Sequence, residues 1–211
     1  MDLPGCGKNK NIPSMTIDNI IELLNNKMPK NAIWLGWSIG GLIASRFALH
    51  YPKNILAIIS VASSPCFIAK KNWPGITKCT VYRFYKNLKT NYYETLHTFL
   101  TLQQRNLINS IELKKIIYSQ NKPSIKLLIE GLKIICSVDL RLEITYIKVP
   151  VLRIYGAMDS LVPKKISSIL DDKCPDTYSV IIEKAAHTPF ISHQKEFCTI
   201  LLNFKKLLLK Y

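Results

Sequence analysis

Three residues of this chain have the types, spacing and order that acyl-transfer chemistry needs. Gly36-Trp37-Ser38-Ile39-Gly40 is a G-x-S-x-G pentapeptide. The pentapeptide alone is a weak signal, but its setting strengthens it. It follows an apolar run that reads as a strand and opens a segment that reads as a helix, the setting of a nucleophile elbow. Glycine on either side of the serine permits the close backbone approach of a strained turn. A serine hydroxyl needs a base, and the base needs an orienting group. Asp159 stands 121 residues after Ser38, directly behind residues 149–155, which read as a strand. His187 follows 28 residues later, behind Ala185 and Ala186. The order serine, acid, histidine is that of hydrolases built on such an elbow. Asp159 could also be an exposed loop carboxylate or cap the helix expected near 163. His50, His97 and His193 are weaker candidates for the base, because their positions fall at a helix end, in a helical insertion and at the start of the last helix. The backbone N–H of Ile39, the residue after the nucleophile, is the expected oxyanion donor.

These residues need a scaffold to bring them together, and the chain reads as one. Apolar positions Ile17, Ile20, Ile21, Leu24 and Met28 have helical spacing. Ala32–Gly36 and Ile55–Ala62 are continuous apolar runs, expected as buried strands. Gly40–Leu49 between them reads as a helix stopped by Tyr51-Pro52. The alternation of helix and strand predicts a parallel sheet with crossover helices. Residues 63–75 have loop composition. From about 66 to 135 the chain is expected to hold an inserted helical cap, with no clear strand. Lys148–Gly156 returns to a strand, followed by a helix near 163–171, a strand at Tyr178–Ile182 and an amphipathic helix over 193–210. The expectation is a single α/β domain over residues 1–211.

Composition narrows the choices further. Of the 211 residues, 48% are hydrophobic and 20% charged, a globular balance able to bury a core. No apolar run reaches the length of a membrane span, and the first residues lack a signal-peptide pattern; a cytoplasmic protein is expected. The six cysteines form no C-x-x-C pair and none has metal-ligand spacing to a histidine. They are expected to be reduced and mostly buried. The net charge is +15, and lysine supplies 24 of the 29 cations. The lysines are scattered rather than concentrated and interleaved with aromatics, which argues against nucleic acid. Composition drift or an acidic protein partner remains.

Several stretches together resemble a known family. They are Asp2-Leu3-Pro4-Gly5-x-Gly7, Ala32 through Leu42, Val61 through Phe67, and Asn72 through Ile76. Phe99-Leu100-x-Leu102-Gln103, Val138 through Arg141, Asp159-x-Leu161-Val162-Pro163 and Lys184 through His193 continue the pattern. They resemble the BioH family of α/β-hydrolases, carboxylesterases that remove the methyl ester of pimeloyl-[acyl-carrier protein] in biotin synthesis. The resemblance implies an α/β-hydrolase fold, no metal and no organic cofactor. It implies Ser38 as nucleophile, His187 as base and Asp159 as its orienting acid. It also implies Phe99, Leu100, Thr101, Leu102 and Gln103 as the cap segment along the acyl channel, Thr101 replacing a small apolar residue. The implied partner is the acyl carrier protein. No nucleic acid or membrane partner is expected, and nothing in the sequence suggests more than a monomer.

Two departures accompany the resemblance. The family's H-G-W-G loop, source of a second oxyanion donor, has no counterpart before Ser38. A sheet lacking its N-terminal strands is therefore expected, roughly 40 residues by the usual size of such a block. The family's cap arginines are also replaced. Glu94 and Thr98 stand beside the Phe-Leu motif, and Lys86, Lys89, Arg105, Lys114 and Lys115 would supply a diffuse positive charge instead. The readings left open are an inactive N-terminally truncated fragment, an esterase of other short acyl esters, and a basic binding module.

Overall fold

The computed structural model describes residues 2, 4–5, 7–9, 11–13, 16–104 and 123–209. Among the described residues, four strands form one parallel sheet in the order β1 (Ala32–Trp37), β2 (Ile55–Val61), β3 (Val151–Gly156) and β4 (Tyr178–Ile182). Strand and helix alternate along the chain as the apolar runs require. Helix α2 (Ile39–His50) joins β1 to β2, and α6 (Lys165–Lys173) joins β3 to β4. Among the described residues, the third crossing, β2 to β3, carries the cap helices α3 (Lys78–Thr90), α4 (Tyr92–Gln104) and α5 (Ile125–Ser137).

Each sheet face has its own apolar cover. On one face, Ile20, Ile21 and Leu24 of α1 (Ile17–Lys27) pack with Leu42, Ile43 and Phe47 of α2 and with Ile166 and Leu170 of α6. On the other, Phe197 and Phe204 of α8 (Gln194–Leu208) cover Ala57, Ile59, Leu152 and Ile154. The short helix α7 (Pro189–Ser192) leads into α8. Side-chain caps start the helices where the sequence offers them. Thr16, Thr77 and Ser124 each accept the amide three residues on, which satisfies one of the amides a helix start leaves over.

Two expectations need adjustment. The segment 66–75 belongs to the core rather than to the cap helices, since Cys66, Phe67, Ile68 and Trp73 are all buried. Short bridges Ile68 to Ile76 and Lys70 to Trp73 fold it back on itself. The cysteines are not mostly buried. Cys66 and Cys174 are, but Cys79, Cys136 and Cys198 are exposed, because they fall on the solvent sides of α3, α5 and α8. Cys6 lies outside the described residues. Among the described residues, no helix is long and apolar enough to cross a membrane.

Candidate active site

The carboxyl edge of the sheet gathers the chemistry. β1, β3 and β4 end at Trp37, Gly156 and Ile182. Ser38, Asp159 and His187 follow within one, three and five residues. Crossover topology alone therefore brings side chains up to 149 positions apart to one edge.

The turn at Ser38 is strained. Its backbone has φ 53° and ψ −121°, a left-handed value that costs a non-glycine residue on the order of 1–3 kcal/mol. The Ser38 amide donates to the Val61 carbonyl at 2.8 Å, tying the turn to β2. Gly36 is required because any β-carbon there would overlap the Gly40 carbonyl. A β-carbon on Gly41 would meet the Ser63 side chain at 2.6 Å. Ile39 opens α2, so its N–H is a first-turn amide with no intrahelical acceptor. It stands beside the Ser38 hydroxyl at the positive pole of the helix.

The three side chains lie in one hydrogen-bonded line. His187 Nε2 is 2.9 Å from Ser38 Oγ. His187 Nδ1 is 2.7 Å from Asp159 Oδ2. The carboxylate can only accept, so Nδ1 carries the proton and Nε2 is left to take one from the serine. Asp159 Oδ1 accepts the Leu161 and Val162 amides at 2.8 and 3.1 Å. Both carboxylate oxygens are thus engaged, and the side chains of Asp159 and His187 are each 1% exposed. Burial excludes water from the pair and strengthens the interaction. The loops carrying acid and base are zipped together, with the Met158 amide on the Ala185 carbonyl at 2.9 Å and the Ala157 amide on the Ile182 carbonyl at 3.0 Å.

Ser38 and Ile39 open into a cavity of about 760 Å³ between the sheet edge and the cap. Phe99, Leu100, Leu102 and Gln103 line it. Thr101 does not. On the helix it points away from the cavity wall, and its hydroxyl donates to the His97 carbonyl at 2.9 Å. Phe84 packs against Phe99 with tilted rings whose centres are 5.3 Å apart, extending the apolar wall to α3. Glu94 and Thr98 line the cavity as well. Of the cap cations, Lys86 and Lys89 lie over the rings of Tyr82 and Tyr85 at 5.2 and 4.4 Å. Arg105, Lys114 and Lys115 lie outside the described residues.

Sequence reasoning missed Trp37 and Leu161 as parts of the site. The Trp37 indole N–H donates to the His187 carbonyl at 2.7 Å, and Leu161 lines the cavity while its amide fixes Asp159. Leu161 was visible as the residue two after the acid. Trp37 gave no signal beyond its place in the pentapeptide, because its partner is 150 residues away.

Comparison with known proteins follows the same lines. A family model described as alpha/beta hydrolase fold matches residues 1–194. The protein of Proteus mirabilis named pimeloyl-[acyl-carrier protein] methyl ester esterase is 44% identical over 207 residues, 96% of this chain and 79% of that protein. A protein of the same name from Hamiltonella defensa is 44% identical over 96% of this chain and 80% of its own length. The esterase from Exiguobacterium antarcticum superposes with a TM-score of 0.87 at 20% identity, covering 97% of this chain and 80% of that one. A bromoperoxidase from Bacillus anthracis gives 0.84 at 21% identity, covering all of this chain and 80% of that one. At such identities the two structures bear on the fold alone.

Proposed function

This chain belongs to the α/β-hydrolase fold family, and from that premise we propose that it is a serine carboxylesterase. Its substrate is the methyl ester of pimeloyl-[acyl-carrier protein], as the names of its 39–44% identical relatives suggest. The observation that carries the reading is the Asp159–His187–Ser38 line opening into an apolar cavity.

The geometry supports the following sequence of steps. His187 Nε2 takes the Ser38 proton as Oγ attacks the ester carbonyl carbon. The carbonyl oxygen becomes an oxyanion facing the Ile39 N–H. Asp159 stabilises the imidazolium and keeps its tautomer without itself taking the proton. The imidazolium then protonates the departing methoxide, which leaves as methanol, and the acyl group stays on Ser38. Water enters and gives a proton to His187 as its oxygen attacks the acyl carbonyl; the imidazolium returns that proton to Ser38 Oγ as the acyl–oxygen bond breaks, and the acid product leaves and ionises to the carboxylate. The chain of the acyl group would lie along Phe99, Leu100 and Leu102, with its carrier-linked end towards the cap.

The carrier protein is the proposed partner. Lys86 and Lys89 on α3 offer positive charge for an acidic surface, and contacts between exposed charges weaken with salt. Hydrolysis of the carrier-bound methyl ester, measured as released methanol, tests the reading. Ser38→Ala is expected to reduce it by at least about a thousandfold. Hydrolysis that persists in Ser38→Ala, or a folded wild-type chain without any, would overturn it.

A further inference from the structure

His187 is held at both ends of its own backbone as well as by its ring. Its N–H donates to the Gln103 carbonyl at 3.1 Å. Gln103 lies on cap helix α4, so this bond ties the histidine backbone to the cap. Its C=O accepts the Trp37 indole N–H at 2.7 Å. Trp37 ends β1 one residue before the nucleophile. Its ring is fixed at 5.5 Å from the imidazole and edge-on to Phe190 at 5.5 Å. His187 is 1% exposed, so a carbonyl stripped of this donor would be left unpaired away from water, which is unfavourable. The loop would shift to find another partner, and the imidazole would move with it.

Resting on the esterase reading above, we infer that Trp37 is a positioning residue for His187. With the Gln103 carbonyl it clamps the histidine peptide between the strand that carries Ser38 and the cap. The alignment of base and nucleophile therefore depends on a bond from the nucleophile's own strand and on the cap being seated. A displacement of about 1 Å at such a base costs about a hundredfold in rate.

Trp37 also forms part of the cavity wall, and the two roles separate kinetically. A wall residue acts on KM, whereas a residue that aligns the base acts on kcat. Trp37→Phe is expected to lower kcat about 30- to 100-fold with KM changed less than about threefold. It is also expected to broaden or abolish the low-field proton NMR signal of the His187–Asp159 hydrogen bond. Phe190→Leu removes the ring packing but keeps the indole N–H, and is expected to keep both the signal and most of kcat. If Trp37→Phe misfolds, benzothienylalanine at position 37 replaces the N–H by sulfur in a ring of the same shape, with the same outcome expected. An unchanged kcat and signal in the donor-free variant would overturn the inference, as would an equal loss in Phe190→Leu. The NMR signal reads His187 alignment whether or not the ester is the substrate. Absent Ser38-dependent hydrolysis by wild type would thus count against the esterase reading alone.

Discussion

The carbonyl of Ala186 lies against the α-carbon of Gly156 with no room for a methyl group between them. Gly156 ends β3, three residues before Asp159, and Ala186 immediately precedes His187. The close approach lets the two loops share hydrogen bonds and sets the distance between Asp159 and His187. Gly156→Ala must push the histidine loop outwards, since backbone atoms cannot yield as a flexible side chain could. We expect kcat to fall about a hundredfold and the melting temperature to drop with it. Thermal unfolding and steady-state hydrolysis on the same preparation check this, and an active variant of native stability would contradict it.

Asp159→Asn keeps the shape of the acid but removes its charge. An amide can present its NH2 to Nδ1, which stabilises the tautomer whose Nε2 carries the proton and cannot take another. A fall in kcat of about ten-thousandfold is expected, with little change in KM. Labelling of Ser38 by a fluorophosphonate probe should slow in parallel, because it draws on the same activated hydroxyl. Rapid labelling of Asp159→Asn would mean that another group activates the serine.

How legible these features were in the sequence depended on the range of the interaction. The strands were legible because a parallel sheet buries both faces, and Ile55–Val61 and Val151–Gly156 are apolar but for Ser60 and Arg153. Ser38, Asp159 and His187 were legible because each sits at a fixed short offset from a strand end. The segment 66–75 was harder, since Pro65, Trp73, Pro74 and Gly75 have loop composition. Its burial comes from Trp73, whose indole N–H donates to the Cys66 carbonyl at 2.8 Å. Thr101 sat in a matching motif, yet the helical phase of α4 turns its hydroxyl onto the His97 carbonyl. The bond from Trp37 to His187 left no trace in spacing, because tertiary packing alone creates it.

Asp139 locks the exit of the cap to the core. It accepts the Arg141 guanidinium at 2.9 Å through both Nε and Nη2, and Lys70 Nζ at 2.8 Å. Arg141 first, then Lys70, hold its carboxyl well below the usual carboxylate range, against the opposing effect of burial. A depressed folded pKa gives stability that is present above the unfolded value of about 3.9 and lost as pH falls towards the folded one. Asp139→Asn should therefore destabilise the protein by about 1–2 kcal/mol at neutral pH. The gap from wild type should begin to close as pH falls through the unfolded value of about 3.9 and go on closing well below it. Melting curves across that range would decide it. A gap that stays constant would mean that the loss is one of packing rather than charge.

β1 is an edge of the sheet among the described residues, and Ile33 and Leu35 on it are 42% and 49% exposed. The strand Ala-Ile-Trp-Leu-Gly-Trp carries no charge or proline to discourage pairing with another chain. Self-association of the purified chain through this edge is expected, and Leu35→Lys should suppress it. Light scattering against concentration for both proteins gives the comparison. Equal association of the two would place the contact elsewhere.

The cavity makes a graded prediction about acyl length. Phe84 of α3 and Phe99 of α4 form an apolar stretch of its wall, and Leu100 lines it with them. Each methylene that passes from water into such surroundings is worth about 0.8 kcal/mol, or about fourfold in binding. For methyl esters from butanoate to octanoate, kcat/KM should rise about three- to fourfold per methylene until the chain fills the space. Phe99→Ser places a hydroxyl in that wall and removes a ring face, so the slope should flatten for the longer esters while butanoate is little affected. A wild-type enzyme indifferent to chain length would mean that the acyl chain lies outside this cavity. A steep slope retained in Phe99→Ser would put the chain along a different wall of it.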